Sequence, residues 1–182
     1  MGRLVVCFHP DSDIRNLEPA VKKYQEIWRK EGKKIVKVIE KVSGLKFKES
    51  FINAIVFQAK FPSQSYPLCL KADYPDERKV SFLIHELTHR LLAGNGIGPQ
   101  QQKFKSEEEK RLAVHKILYL ILYDIWVELY GEKFAKESVK SEIDISSTGA
   151  YKKAWKWALS LSKRERKERF LALMRKARLN HR

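Results

Sequence analysis

HELTHRLL, residues 85–92, sets two histidines one helical turn apart with a glutamate beside the first. At a spacing of four, the His85 and His89 imidazoles lie on one face of a helix. Neutral imidazoles so placed can share one metal ion, and Glu86 lies where it can take a proton from a water on that ion. A chain with five histidines meets such a pattern by accident in only about 1% of cases, so its surroundings decide its meaning.

Those surroundings are helical. Pro75 and Asp76 open the segment, and Val80, Leu83, Ile84, Leu87 and Leu91 form one apolar stripe. At about 100° per residue, the two histidines fall roughly 140° to 180° from the middle of that stripe. One face of the helix can enter a core while the other presents both imidazoles. The Gly-rich stretch Gly94–Pro99 ends the helix, and a polar loop follows.

Working outward, Leu4–Phe8 reads as a short buried strand, closed by His9-Pro10-Asp11-Ser12. Asp13 is the expected cap of a long helix to about Val42, whose apolar residues Tyr24, Ile27, Ile35, Val38 and Ile39 keep a helical period, with Gly44 as its stop. Phe51–Ala59 is rich in strand-forming residues. Tyr66–Ala72 reads as a third strand, placed at a sheet edge by Pro67. Ser106-Glu-Glu-Glu109 caps a helix running to Tyr130-Gly131, apolar nearly all round from Leu112 to Trp126. Further helices are expected at about 132–142, 148–161 and 163–179. The fold class is α+β: a small three-stranded sheet packed beside a mostly helical body. The expected organisation is a single domain over 1–182, with a core at about 50–130 and a helical C-terminal extension at about 132–182.

Composition narrows the setting. A chain of 182 residues with 43% hydrophobic content can bury a sizeable core. The apolar run after Met1 is too short for a secretory signal, and Leu112–Trp126 is too short and too polar to span a bilayer. Cys7 and Cys69 do not make a disulfide framework, so a cytoplasmic location is expected. The formal charge of +15 is spread along the chain and is densest from Lys163 to Arg182. Such a charge suits a solvated basic surface and permits a nucleic-acid partner.

A catalytic zinc takes three protein ligands and keeps a fourth position for water. His115 lies inside the apolar run, where an imidazole is costly unless both nitrogens are occupied; metal plus one hydrogen bond occupies both. Glu108 and Glu109 are the alternatives, although water and the helix dipole already satisfy acids in a first turn. The expected metal set is His85, His89 and His115, holding one zinc per chain.

Over residues 50–130 the chain resembles the zincin metallopeptidases, especially minimal forms of the glutamate-zincin type. The resemblance rests on a strand, an edge strand, the His85-Glu86-Leu87-Thr88-His89 helix, a Gly-rich turn and a second ligand-bearing helix. Glu109 follows His89 after nineteen intervening residues, a gap similar to that of thermolysin-like enzymes, but Ala113 stands where those place an acid. Leu92 and Asn95 depart from the longer metzincin pattern.

The resemblance implies peptide-bond hydrolysis with Glu86 as general base. It also implies an extended peptide or protein substrate on the edge strand at Tyr66, Leu68 and Leu70. A phenol for the developing oxyanion is expected from Tyr151, with Tyr74 a second candidate. The alternative function is a zincin-like binding module without catalysis, docking nucleic acid or a protein through the basic C-terminal helices. There Lys152, Lys153, Trp155, Lys156 and Trp157 interleave cations with aromatics. The same pattern also fits an amphipathic helix that buries Tyr151, Trp155 and Ala158.

Overall fold

The computed structural model describes residues 4–99, 103–145 and 148–180; residues 100–102 of the expected polar loop lie outside them. The chain divides into two compact units, Met1–Leu91 and Leu92–Arg182. Each is mixed or helical as the sequence pattern anticipates: five helices and one three-stranded sheet among the described residues.

The first unit runs β1 (Val5–Pro10), α1 (Glu18–Ser43), β2 (Phe51–Phe57), β3 (Leu68–Lys71) and most of α2 (Asp76–Gly94). Strand order follows chain order, and both pairings are parallel, with Val5 opposite Phe51 and Ala54 opposite Leu68. The 26-residue α1 supplies the crossover that parallel β1 and β2 require. It begins at Glu18 rather than at Asp13. Pro19, in its first turn, has the φ a helix start needs, whereas residues 11–16 form a turn with Asn16 at φ 65°. At its other end Gly44 takes a left-handed φ of 70° and donates its amide to the Glu40 carbonyl.

Burial alternates along β1 and β2. Val6, Phe8, Ile52, Ala54 and Val56 face the core, while Val5 and Phe51 are largely exposed. Tyr24 joins α1 to the far strand. Its ring stacks on Phe8 and its hydroxyl donates to the Lys71 carbonyl at 2.9 Å. Burial pushes that phenol well above its usual range.

The second unit contains α3 (Glu107–Ile145), α4 (Ala150–Leu159) and α5 (Lys163–Asn180). The expected helices before and after Gly131 are continuous except at that glycine, whose φ of 85° and ψ of 172° break the helical path. Tyr119 and Trp155 stack with centroids 3.6 Å apart, and Trp126 lies 5.7 Å from Trp155. Glu142, fully buried, accepts from the Tyr119 hydroxyl at 2.7 Å and from the Trp155 indole at 2.9 Å. Arg166 grips Asp124 with two nitrogens and fixes α5 on α3, while Phe170 and Met174 are buried. No helix of the described residues is long and apolar enough to cross a membrane.

Candidate functional site

The motif lies on α2, and α2 is unusually buried. From Ser81 to Thr88 every residue is buried, including His85 at 1% exposure and Glu86 at 4%. The apolar stripe is in the core as the period requires, and the opposite, polar face is enclosed as well. An enclosed carboxylate and imidazole are costly unless each has work for its polar atoms.

The imidazoles meet. His85 and His89 bring their Nε2 atoms to 3.0 Å, near the about 3.3 Å that two imidazoles adopt on one tetrahedral zinc. The ligand nitrogens of His85, His89 and His115 all lie within 4.8 Å of one another, and among the described residues this group could hold a metal ion. His115 hydrogen-bonds through Nδ1 to the Arg111 carbonyl at 2.8 Å. A carbonyl only accepts, so Nδ1 carries the proton and Nε2 keeps its lone pair, the tautomer a ligand needs. The donor set therefore fits a metal ion: three imidazoles, one of them oriented by a backbone acceptor.

The two glutamates weighed against His115 are engaged elsewhere. Glu108 is paired with Lys153 at 3.0 Å. Glu109 accepts from the Lys105 amide at 2.7 Å while its own amide donates to Ser106 Oγ at 3.1 Å, so the Ser106 hydroxyl caps the helix and the carboxylate holds the residue before it. Both are exposed.

Glu86 has a neighbour with no signature in the sequence. Ser65, in the turn before β3, donates its hydroxyl to Glu86 Oε2 at 2.7 Å. Arg90, one residue past the motif, holds that turn: its Nη1 donates to the Ser65 carbonyl at 2.5 Å. Arg90 also clasps both oxygens of Glu49, and its guanidinium covers the Tyr66 ring at 4.3 Å. Only the position of Arg90 directly after the motif could have drawn attention to it. Ser65 and Glu49 are joined to it by folding alone.

The residues expected to hold substrate have separate positions. Leu68 and Leu70 are fully buried in β3, and Tyr66 is exposed beneath Arg90. β3 is an edge strand, and its outward backbone groups are engaged within the chain. Cys69 exchanges both backbone bonds with Gln64, the Lys71 amide donates to Ser63 Oγ, and the Lys71 carbonyl accepts from Tyr24.

Both phenols considered for an oxyanion stand beside histidine-bearing clusters. The Tyr151 ring lies 4.2 Å from that of His115. Tyr74 packs tilted against Phe82 with ring centroids 4.9 Å apart, and Phe82 stacks on His85. Burial, as the largest cause, pushes the Tyr74 phenol up to about 12, so it keeps its proton at neutral pH.

In α4, Trp155 is core, whereas Trp157 is half-buried between Lys116 and Arg169. No protein-family model, curated protein or solved structure matches the chain.

Proposed function

We propose that this protein is a zinc-dependent metallopeptidase of zincin type, hydrolysing peptide bonds with Glu86 as general base. The observation that carries the reading is the gathering of the His85, His89 and His115 nitrogens within 4.8 Å, with buried Glu86 next to His85 in sequence. Three imidazoles leave a fourth position on the metal for water, as in a hydrolytic zinc site rather than a closed structural one, and Glu86 stands beside them as a base and not as a ligand.

A zinc ion bound there would supply Lewis acidity toward water and a carbonyl oxygen. His85, His89 and His115 would hold it through their unprotonated ring nitrogens. Glu86 takes the proton of the attacking water and returns it to the amine that leaves when the C–N bond breaks. Its burial keeps bulk water from competing for that proton. Tyr151 donates its hydroxyl toward the carbonyl oxygen as negative charge develops. An extended peptide that adds to β3 takes the place of Gln64 on the backbone of Cys69.

The test is metal analysis of protein purified without chelator, beside hydrolysis of a mixed peptide library. About one zinc per chain, with cleavage lost in Glu86→Gln and zinc retained, is the expected result. Protein free of transition metal, or full cleavage by the Gln variant, overturns the reading.

A further inference from the structure

A cavity of 470 Å³ lies in the first unit, away from the motif, between one side of α1, the residue before β1 and the segment leading into β2. Its floor is apolar, made by Leu4, Val36 and Phe47. One wall is the Trp28 indole. A methyl group at Gly32 would stand 2.7 Å to 3.0 Å from that ring, so the indole lies directly against the helix backbone. A glycine inside a helix costs about 1 kcal/mol relative to alanine. Here it gives the ring a fixed seat at the cavity, half-buried rather than enclosed.

The rim is cationic. Lys33, Lys37, Lys41 and Lys46 surround the opening, with Glu40 and Glu49 as its acids. Both acids are already engaged: Glu40 accepts from Lys46 and from the Phe47 amide, and Glu49 is clasped by Arg90. Among the described residues, Lys33 and Lys37 have no acidic partner, so the cavity carries uncompensated positive charge beside a fixed aromatic face. That combination matches one ligand chemistry: a planar base for the indole and phosphate for the lysines. The volume lies in the range of small-molecule sites.

We propose that this cavity binds a nucleotide, either free or as part of a single strand. The proposal stands independently of the metal site.

Titration of the full-length protein with ATP, a short oligothymidylate and inorganic phosphate, followed by calorimetry at physiological salt, tests it. The expected result is saturable nucleotide binding that inorganic phosphate alone does not reproduce. The Lys33→Glu, Lys37→Glu double variant weakens it by about tenfold or more. Trp28→Leu weakens it several-fold, while Trp28→Phe retains most of it. Lys140→Glu, at an exposed position of α3, leaves it unchanged and serves as the control for general surface charge. Tighter binding of ATP assigns a free nucleotide, and tighter binding of the oligonucleotide assigns a strand. Equal binding of phosphate and nucleotide, an unchanged affinity in the folded double variant, or the same loss from Lys140→Glu each overturns the proposal.

Discussion

Glu86 and Glu109 each belong to a helix that also bears a histidine of the metal group, and their surroundings are opposite. Glu109 is in the first turn of α3, exposed, with its carboxylate on the Lys105 amide and its amide on Ser106. Solvent, a cap and the helix dipole account for it completely. Glu86 is in the middle of α2, enclosed, next to two imidazoles, with the Ser65 hydroxyl on one oxygen. Neither capping nor the dipole explains a carboxylate there, since it stands far from the helix start. The difference teaches how to weigh acids near a zinc motif. An acid that stabilises its own helix needs no metal to justify it, whereas one that is costly to bury points to chemistry.

The sharpest way to break this comparison is to neutralise both acids. Glu86→Gln is expected to lower kcat by at least about a thousandfold while keeping zinc, and Glu109→Gln to leave kcat within about twofold. Steady-state peptide hydrolysis with parallel metal analysis measures both. Next in size is the ligand test. His115→Ala is expected to weaken zinc binding by about a hundredfold or more, read by competition with a chromogenic chelator. The Glu108→Ala, Glu109→Ala double variant should leave zinc affinity unchanged. The opposite pattern transfers the third ligand to α3's first turn and makes the two glutamates alike.

A smaller effect is expected from Ser65→Ala. Removing the hydroxyl that occupies Glu86 Oε2 leaves that oxygen open to the attacking water, so kcat/KM should rise, by less than about tenfold, with zinc content unchanged. A thousandfold fall would instead make Ser65 part of the catalytic machinery. Smallest is the cap itself: Ser106→Ala should cost about 1 kcal/mol of stability and nothing in metal content, measured by denaturant unfolding of the zinc-loaded protein.

Much of this contrast was legible in sequence because it depends on local spacing. The period of Val80, Leu83, Leu87 and Leu91 places one face of α2 in the core, and the cost of an imidazole among Leu112–Trp126 singles out His115. The Ser106–Glu109 cap and the edge position of β3 follow from local chemistry in the same way. What escaped depends on contacts distant along the chain. Strand direction was not legible, because a short apolar run pairs equally well either way, and only the α1 crossover makes β1 and β2 parallel. The enclosure of the polar face of α2 was not legible either, since a helix pattern shows polarity and not what covers it. The Glu49–Arg90–Ser65 chain joins three segments whose residues carry no individual signature. At Asp13 a local rule misled: a good cap residue yielded to Pro19, which fixes the helix start more strongly.

The occupied outer edge of β3 has a consequence for the protein among its own copies. A parallel strand at a sheet margin ordinarily offers alternate amides and carbonyls to any passing chain, a template for aggregation. Here Gln64, Ser63 and Tyr24 already hold the outward groups of Cys69 and Lys71. A second chain seeking to extend the sheet on that side must first peel the 63–64 segment away, against the grip of Arg90 on Ser65. The residues that tether this turn to α2 thus also guard a β-rich margin against intermolecular pairing, so loosening Arg90 should make the folded protein more prone to self-association.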